Sequence, residues 1–158
     1  MSDERRGAAF HTPLGTIVAI AGGDGLEHVG WELDVLSEVP QARHPVLDQF
    51  KGWLQVYFAG HFSQLPEVPL HLPPTASRPA WIAARAIPAG RTKTYGDLAK
   101  QLGRPGGARG VGAAMAHNPL LLIVPCHRVV AVTGSLQGYA GGVERKAWLL
   151  RHEGTLLL

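Results

Sequence analysis

Five prolines fall between residues 64 and 79 (Pro66, Pro69, Pro73, Pro74 and Pro79), and they constrain this chain more than any other feature. Proline lacks an amide hydrogen and fixes φ, so the stretch neither continues a helix nor pairs as a central strand. An extended linker over 64–79 is therefore expected, joining an N-terminal α/β domain over 1–63 to a second domain over 80–158. With 46% hydrophobic and 17% charged residues the chain has enough apolar surface to give both a core, which sets aside a disordered tail.

The two sides differ sharply in charge. Residues 1–75 hold four Lys and Arg against nine Asp and Glu, a net of −5, whereas residues 76–158 hold eleven against three, a net of +8. Only the second half would attract a polyanion, and that reading stands beside the plainer one of an ordinary basic surface. The single cysteine cannot form an internal disulfide and fits a reducing, cytoplasmic location. The first residues carry no apolar secretion signal, and runs such as 120–124 are far too short to cross a bilayer, so no membrane partner is expected.

Local patterns fill in the two halves. Alternation over Ala8–His11, Thr16–Ile20 and Glu27–Leu33, broken by turn residues at 12–15 and 22–25, predicts a small antiparallel meander. Val46, Phe50, Trp53, Leu54, Tyr57 and Phe58 follow helical spacing from Pro45 to a stop at Gly60. Further helices are expected over Trp81–Ile87, over Tyr95–Leu102 with Thr94 as cap, over about Gly107–His117, and over Val143–Glu153. The middle pair, joined by Gly103-Arg104-Pro105, fits a helix-turn-helix. Its second helix contains Gly107, Gly110 and Gly112, each weakening it by roughly 1 kcal/mol relative to alanine. Either it packs closely on a neighbour, or its small face enters a narrow groove with Arg109 as the one long projection.

Leu120–Val124 is an apolar, strand-like run leading into Pro125-Cys126-His127-Arg128-Val129-Val130. A lone cysteine is ordinarily a small buried hydrophobe. Here His127 and Arg128 follow it, and cationic or basic neighbours favour thiolate over thiol. Adjacent residues of a strand point to opposite faces, so His127 would reach the sulfur through a water or a bend. Glu153 would serve as the acid that orients an imidazole, or else is a solvated residue at a helix end.

Taken together these motifs resemble the O6-alkylguanine-DNA alkyltransferase family. Pro125-Cys126-His127-Arg128-Val129-Val130 is similar to its active-site signature. In matching order come Ile87-Pro88-x-Gly90, Thr94-Tyr95-Gly96-x-Leu98-Ala99, Ala108-Arg109-x-Val111-Gly112 and Asn118-Pro119. Downstream follow Gly138-Tyr139-Ala140-Gly141-Gly142, Arg145-Lys146-x-Trp148-Leu149-Leu150 and His152-Glu153-Gly154. The likeness covers nearly all of residues 80–154, while the first 75 resemble the family's N-terminal domain only in length and strand pattern.

The resemblance implies an α+β protein, with an RNase-H-like α/β roll followed by a helical, winged-helix-like domain bearing the helix-turn-helix. It implies a single-turnover methylated-DNA–protein-cysteine methyltransferase, monomeric and free of metal or organic cofactor, acting on O6-alkylguanine in double-stranded DNA from the minor groove. By position it makes Cys126 the alkyl acceptor, His127 a water-mediated base, and Glu153 the group that holds this histidine. Tyr95 would rotate a phosphate during base flipping and protonate the departing guanine. Arg109 would fill the gap left by the extruded base, with Ala108, Gly112, Ala113 and Arg128 also meeting DNA. Met115, Asn118, Val129, Tyr139, Ala140 and Gly141 would line the guanine pocket, Asn118 also shaping the turn before the active-site strand.

Three departures stand out. The family's usual Phe-Gln-x-x-Val-Trp is here Ala76-Ser77-Arg78-Pro79-Ala80-Trp81, and Gly110 occupies a position where alanine is common. The N-terminal cysteines with which some members bind zinc are missing, and His11, His28, His44, His61 and His71 lack metal-ligand spacing and read as surface residues. Non-repairing relatives replace the cysteine, which Cys126 argues against. Two rival classes remain at this level: a non-catalytic helix-turn-helix module that binds damaged DNA with an inert cysteine, and a cysteine hydrolase built on Cys126, His127 and Glu153.

Overall fold

The computed structural model describes residues 5–104, 107–136 and 138–155. They mix helix and strand in an α+β arrangement and form two compact units, 1–72 and 73–158.

The first unit is built on the expected meander. Strands β1 (Arg6–Thr12), β2 (Gly15–Gly22) and β3 (Gly25–Gly30) are antiparallel in the order β1-β2-β3, with Thr12 opposite Gly15 at the first turn and Gly22 opposite Gly25 at the second. The third strand ends at Gly30 rather than Leu33, because Leu33–Glu38 winds into a 3-10 turn. Helix α1 (Pro45–Phe58) begins where His44 accepts the Val46 amide on its Nδ1, and it buries Val46, Leu47, Phe50, Trp53, Leu54 and Tyr57. These recur at three- and four-residue spacing, so one face meets the sheet, with Phe10 and Phe50 edge to face at 5.7 Å. Phe50 is wholly buried, which stabilises the fold by roughly 2–3 kcal/mol.

Part of the proline-rich segment is paired rather than free. Leu26 N donates to Pro69 O and His71 N donates to Leu26 O, each at 2.8 Å, so 69–71 runs alongside β3. Gly25 makes this possible: its φ is +130°, and a Cβ there would lie 2.5 Å from the Pro69 carbonyl oxygen. His28, expected on the surface, is half-buried in this unit, with its pKa lowered by burial against the opposing charges of Glu32 and Glu38.

In the second unit, α2 (Arg78–Arg85) starts three residues earlier than expected. Pro79 sits in its first turn, where a missing amide hydrogen costs nothing. Strand β4 (Lys93–Thr94) leads into α3 (Tyr95–Gln101), which opens with a capping box: Asp97 N donates to Thr94 Oγ1 and Thr94 N donates to Asp97 Oδ2, both at 3.0 Å. Helix α4 (Ala108–Ala116) packs on α3, and Pro105 of the expected turn lies outside the described residues. Gly107 caps α4 from outside, so only two glycines lie within the helix.

Leu120–Val124 is not a strand. It is a wholly buried turn in which Val124 N donates to Leu120 O at 2.9 Å and Leu122 adopts φ +71°. Asn118 imposes it, donating from Nδ2 to Val124 O at 2.8 Å and accepting the Leu120 amide at 2.9 Å. A left-handed leucine costs of order 1–3 kcal/mol and persists only where surrounding bonds enforce it. A 3-10 turn over Cys126–Arg128 follows, then β5 (Val129–Val130), parallel to β4, and finally α5 (Val143–His152).

Candidate active site

The buried charged and titratable side chains of the second unit, His127, Arg128, Lys146 and Glu153, gather around Cys126. Because Cys126–Arg128 is a 3-10 turn, the alternation of a strand does not separate Cys126 from His127. Both are buried, at 2% and 0% exposure. Glu153, at the end of α5, accepts from both neighbours of the turn: His127 Nε2 lies 2.7 Å from its Oε2, and Arg128 reaches Oε1 through Nε at 2.8 Å and Oε2 through Nη2 at 2.9 Å. The third arm of Arg128, Nη1, donates to Ile87 O at 2.7 Å.

Electrostatics assign the protons. Burial alone would raise Glu153, yet the hydrogen bonds and charges of His127 and Arg128 outweigh it and bring the carboxyl down to about 2. Burial lowers His127, with the Glu153 hydrogen bond opposing, so the imidazole is neutral at physiological pH. A neutral ring facing an ionised carboxylate through Nε2 carries its hydrogen there, which leaves a lone pair on Nδ1. That Nδ1 is buried and has no hydrogen-bond partner among the described residues. Burial pushes the Cys126 thiol up to about 11, against a hydrogen bond from Asn118 and the charge of Lys146. At rest the sulfur is therefore protonated and needs a base when it reacts.

Lys146 is a buried cation beside this site that the sequence reading did not single out. Its side chain is buried, its Nζ donates to Val129 O at 2.8 Å, and it stands 5.9 Å from the centre of the Tyr95 ring. Burial lowers its pKa, with Cys126 opposing. Burial and then Cys126 raise Tyr95, which keeps the phenol protonated. The chain does carry a signal: Lys146, Leu149, Leu150 and Glu153 are spaced i, i+3, i+4, i+7, and all four are buried on one face of α5. A lysine and a glutamate at the ends of such a stripe mark a built site.

Of the other expected residues, Tyr139 is buried with its ring edge-on to His127 at 6.4 Å, and Gly141 O accepts from Arg145 Nη1 at 3.2 Å. Met115 and Val129 are buried and Ala140 is exposed. On α4, Arg109 and Ala113 are exposed and Gly112 is half-buried, sharing a face opposite the buried Val111, Ala114 and Met115, while Ala108 is half-buried in the first turn. Arg128 requires a correction. Expected against DNA, it is 7% exposed, and its guanidinium is committed to Glu153 and Ile87. Burial beside a carboxylate suits its rigid fork, whereas phosphates need an exposed cation.

No helix among the described residues is long and apolar enough to cross a membrane. Residues 76–155 match the family model described as 6-O-methylguanine DNA methyltransferase, DNA binding domain. The chain is similar to the methylated-DNA–protein-cysteine methyltransferase of Shigella flexneri, 54% identical over 106 residues, which make up 66% of this chain and 62% of that protein. The enzyme of the same name from Methanosarcina acetivorans is 36% identical over 155 residues, 94% of this chain and 97% of that one. The chain thus spans 62% of the first relative's length and nearly all of the second's. Among solved structures, Mycobacterium tuberculosis O6-methylguanine methyltransferase superposes with a TM-score of 0.84 at 34% identity, covering 94% of this chain and 92% of that one. The Mycobacterium tuberculosis OGT in complex with DNA gives 0.84 at 35% identity with the same coverage.

Proposed function

This chain belongs to the 6-O-methylguanine DNA methyltransferase family, and from that premise we propose that it repairs O6-alkylguanine in double-stranded DNA by taking the alkyl group onto Cys126. The observation that carries this reading is the buried cysteine beside a neutral histidine whose far nitrogen is held 2.7 Å from Glu153. His127 Nδ1 accepts the thiol proton through a water as Sγ attacks the alkyl carbon. The new S–C bond replaces the C–O6 bond, and the electron pair leaves on guanine. Tyr95, kept protonated, donates to the departing base, and Lys146, whose Nζ also stands over the Tyr95 ring, stabilises negative charge on the sulfur. The product is a thioether with no easy route back, so each molecule acts once. The reaction as written calls on no metal or organic cofactor.

A stacked guanine hides its O6, so the nucleotide must be extruded at a cost of a few kcal/mol. The open face of α4 suits a narrow minor groove: Gly112 and Ala113 project little, and Arg109 is long enough to occupy the vacated place in the stack. Cations of the second unit would supply phosphate contacts, Arg128 not among them. On the same proposal, residues 1–63 form an RNase-H-like roll, 64–79 the linker, and 80–158 a winged-helix-like DNA-binding and acceptor domain. A monomer in the cytoplasm fits the same picture.

The direct test is an intact mass spectrum after mixing the protein with duplex DNA carrying one O6-methylguanine. One added methyl group mapping to Cys126, with plain guanine left in the DNA, is expected. Unchanged mass with DNA binding retained would favour the non-catalytic binding module instead. Arg109→Ala is expected to slow repair in duplex about tenfold, corresponding to about 1.4 kcal/mol, and to leave reaction with the free alkylated base nearly unchanged. Equal losses on both substrates would remove the gap-filling role from Arg109.

A further inference from the structure

The last turn of α4 is pinned from another helix. A helix leaves its final four carbonyls without the usual partners, and in α4 these belong to residues 113–116. The buried indole of Trp81, on α2, donates from Nε1 to Ala114 O at 2.8 Å. The end of α4 itself offers this carbonyl a shared bond from His117 N at 3.2 Å. Support from outside matters here, because a nine-residue helix containing Gly110 and Gly112 is marginal by itself and takes its placement from its neighbours.

The pin stands where two parts of the site join. Before it, α4 presents Arg109, Gly112 and Ala113, the face proposed to meet DNA. Just beyond it come the buried Met115 and then Asn118, whose side chain bends 120–124 on the way to Cys126. The other end of α2 meets the reacting turn, since Ile87, just past the helix, accepts from Arg128 Nη1 at 2.7 Å. A hydrogen bond at each end of α2 therefore ties it to the DNA-facing helix and to the turn that carries the cysteine.

We propose that Trp81 is a positioning residue for alkyl transfer, its indole N–H holding α4 in register with the Cys126 turn so that a nucleotide extruded at α4 arrives at the sulfur. The inference rests on the repair reading above. Trp81 is buried and acts through the elements it joins; a misplacement of about 1 Å, even by a residue far from the chemistry, can slow a reaction about 100-fold.

Trp81→Phe keeps an aromatic ring in the core and removes the N–H. Single-turnover methyl transfer is read by intact mass, with saturating duplex carrying O6-methylguanine and, separately, with O6-methylguanine as the free base. The ratio of duplex rate to free-base rate should fall about tenfold in the variant, while affinity for unmodified duplex stays within about twofold. A role in stability alone would lower the urea midpoint and leave that ratio where it is. In the parent, the Trp81 indole N–H should also resist hydrogen exchange, both free and on DNA. A ratio within about twofold of the parent's, or a parent indole that exchanges as fast as an exposed one, overturns the proposal. A parent that takes up no methyl from duplex removes the repair reading and this inference with it, whereas normal transfer by the parent with an unmoved ratio in the variant removes the inference alone.

Discussion

Glu153→Gln is expected to destabilise the protein by about 3–5 kcal/mol, the cost of breaking a buried ion pair from one side. Glutamine keeps the shape but removes the charge. The Arg128 guanidinium, 7% exposed and bonded to Glu153 through two nitrogens, would keep the Ile87 carbonyl and the single amide oxygen of the glutamine but lose its counter-charge, with an NH2 donor facing it in place of the second oxygen. Since domains of this size are stable by about 5–15 kcal/mol, the loss should appear as a large fall in the urea midpoint at unchanged slope. A fall below about 1 kcal/mol would mean that water reaches Arg128 and that the pair is not buried in solution. Charge loss should also slow alkyl transfer, because the imidazole would no longer be fixed with its lone pair on Nδ1.

The same carboxylate sets an acid dependence whose sign follows from its depressed pKa. Glu153 falls from 4.5 to about 2 on folding, so its stabilisation is fully present above pH 4.5 and is lost as pH falls towards 2. The shift corresponds to about 3 kcal/mol. His127, also lowered, adds in the same direction: its stabilisation is present above its unfolded value of 6.5 and is lost as acid forces a charge onto the buried ring. Unfolding free energy measured between about pH 7 and pH 2 should therefore decline on acidification in the parent, and less steeply below pH 4.5 in Glu153→Gln. An identical slope in both would mean that other carboxylates carry the acid sensitivity.

Cys126→Ser should abolish alkyl transfer altogether while leaving binding to alkylated duplex within about twofold. The substitution changes one buried atom and leaves the bonds that Arg128, Glu153 and Asn118 make to one another and to the backbone, so the fold has little reason to change. Sulfur attacks carbon readily once its proton is removed, whereas a serine hydroxyl gives up its proton far less easily to the same imidazole. The check is the mass spectrum paired with an electrophoretic shift on the same DNA. A methyl adduct on the serine variant would place the acceptor elsewhere in the chain.

Much of the chemistry is legible in the sequence alone. Cys126, His127 and Glu153 stand out by residue type, the meander and α1 by their periods of two and 3.6, and the start of α3 by Thr94 and Asp97, all properties carried by single residues or by near neighbours. Whatever depends on residues far apart meeting is decided by the tertiary structure. Leu120–Val124 has the composition of a strand, but Asn118 bonds both its ends and bends it into a turn, and tertiary packing then buries every member. Arg128 reads as a surface cation because nothing nearby in the sequence can neutralise it; its partner is Glu153, 25 residues away, and its third bond is to Ile87, 41 residues away. Lys146 escapes notice for the same reason, since its value lies in reaching Val129 and the Tyr95 ring. Composition, period and capping are written in the chain itself, whereas the burial of a charge and the partner that offsets its cost exist only once the chain has folded.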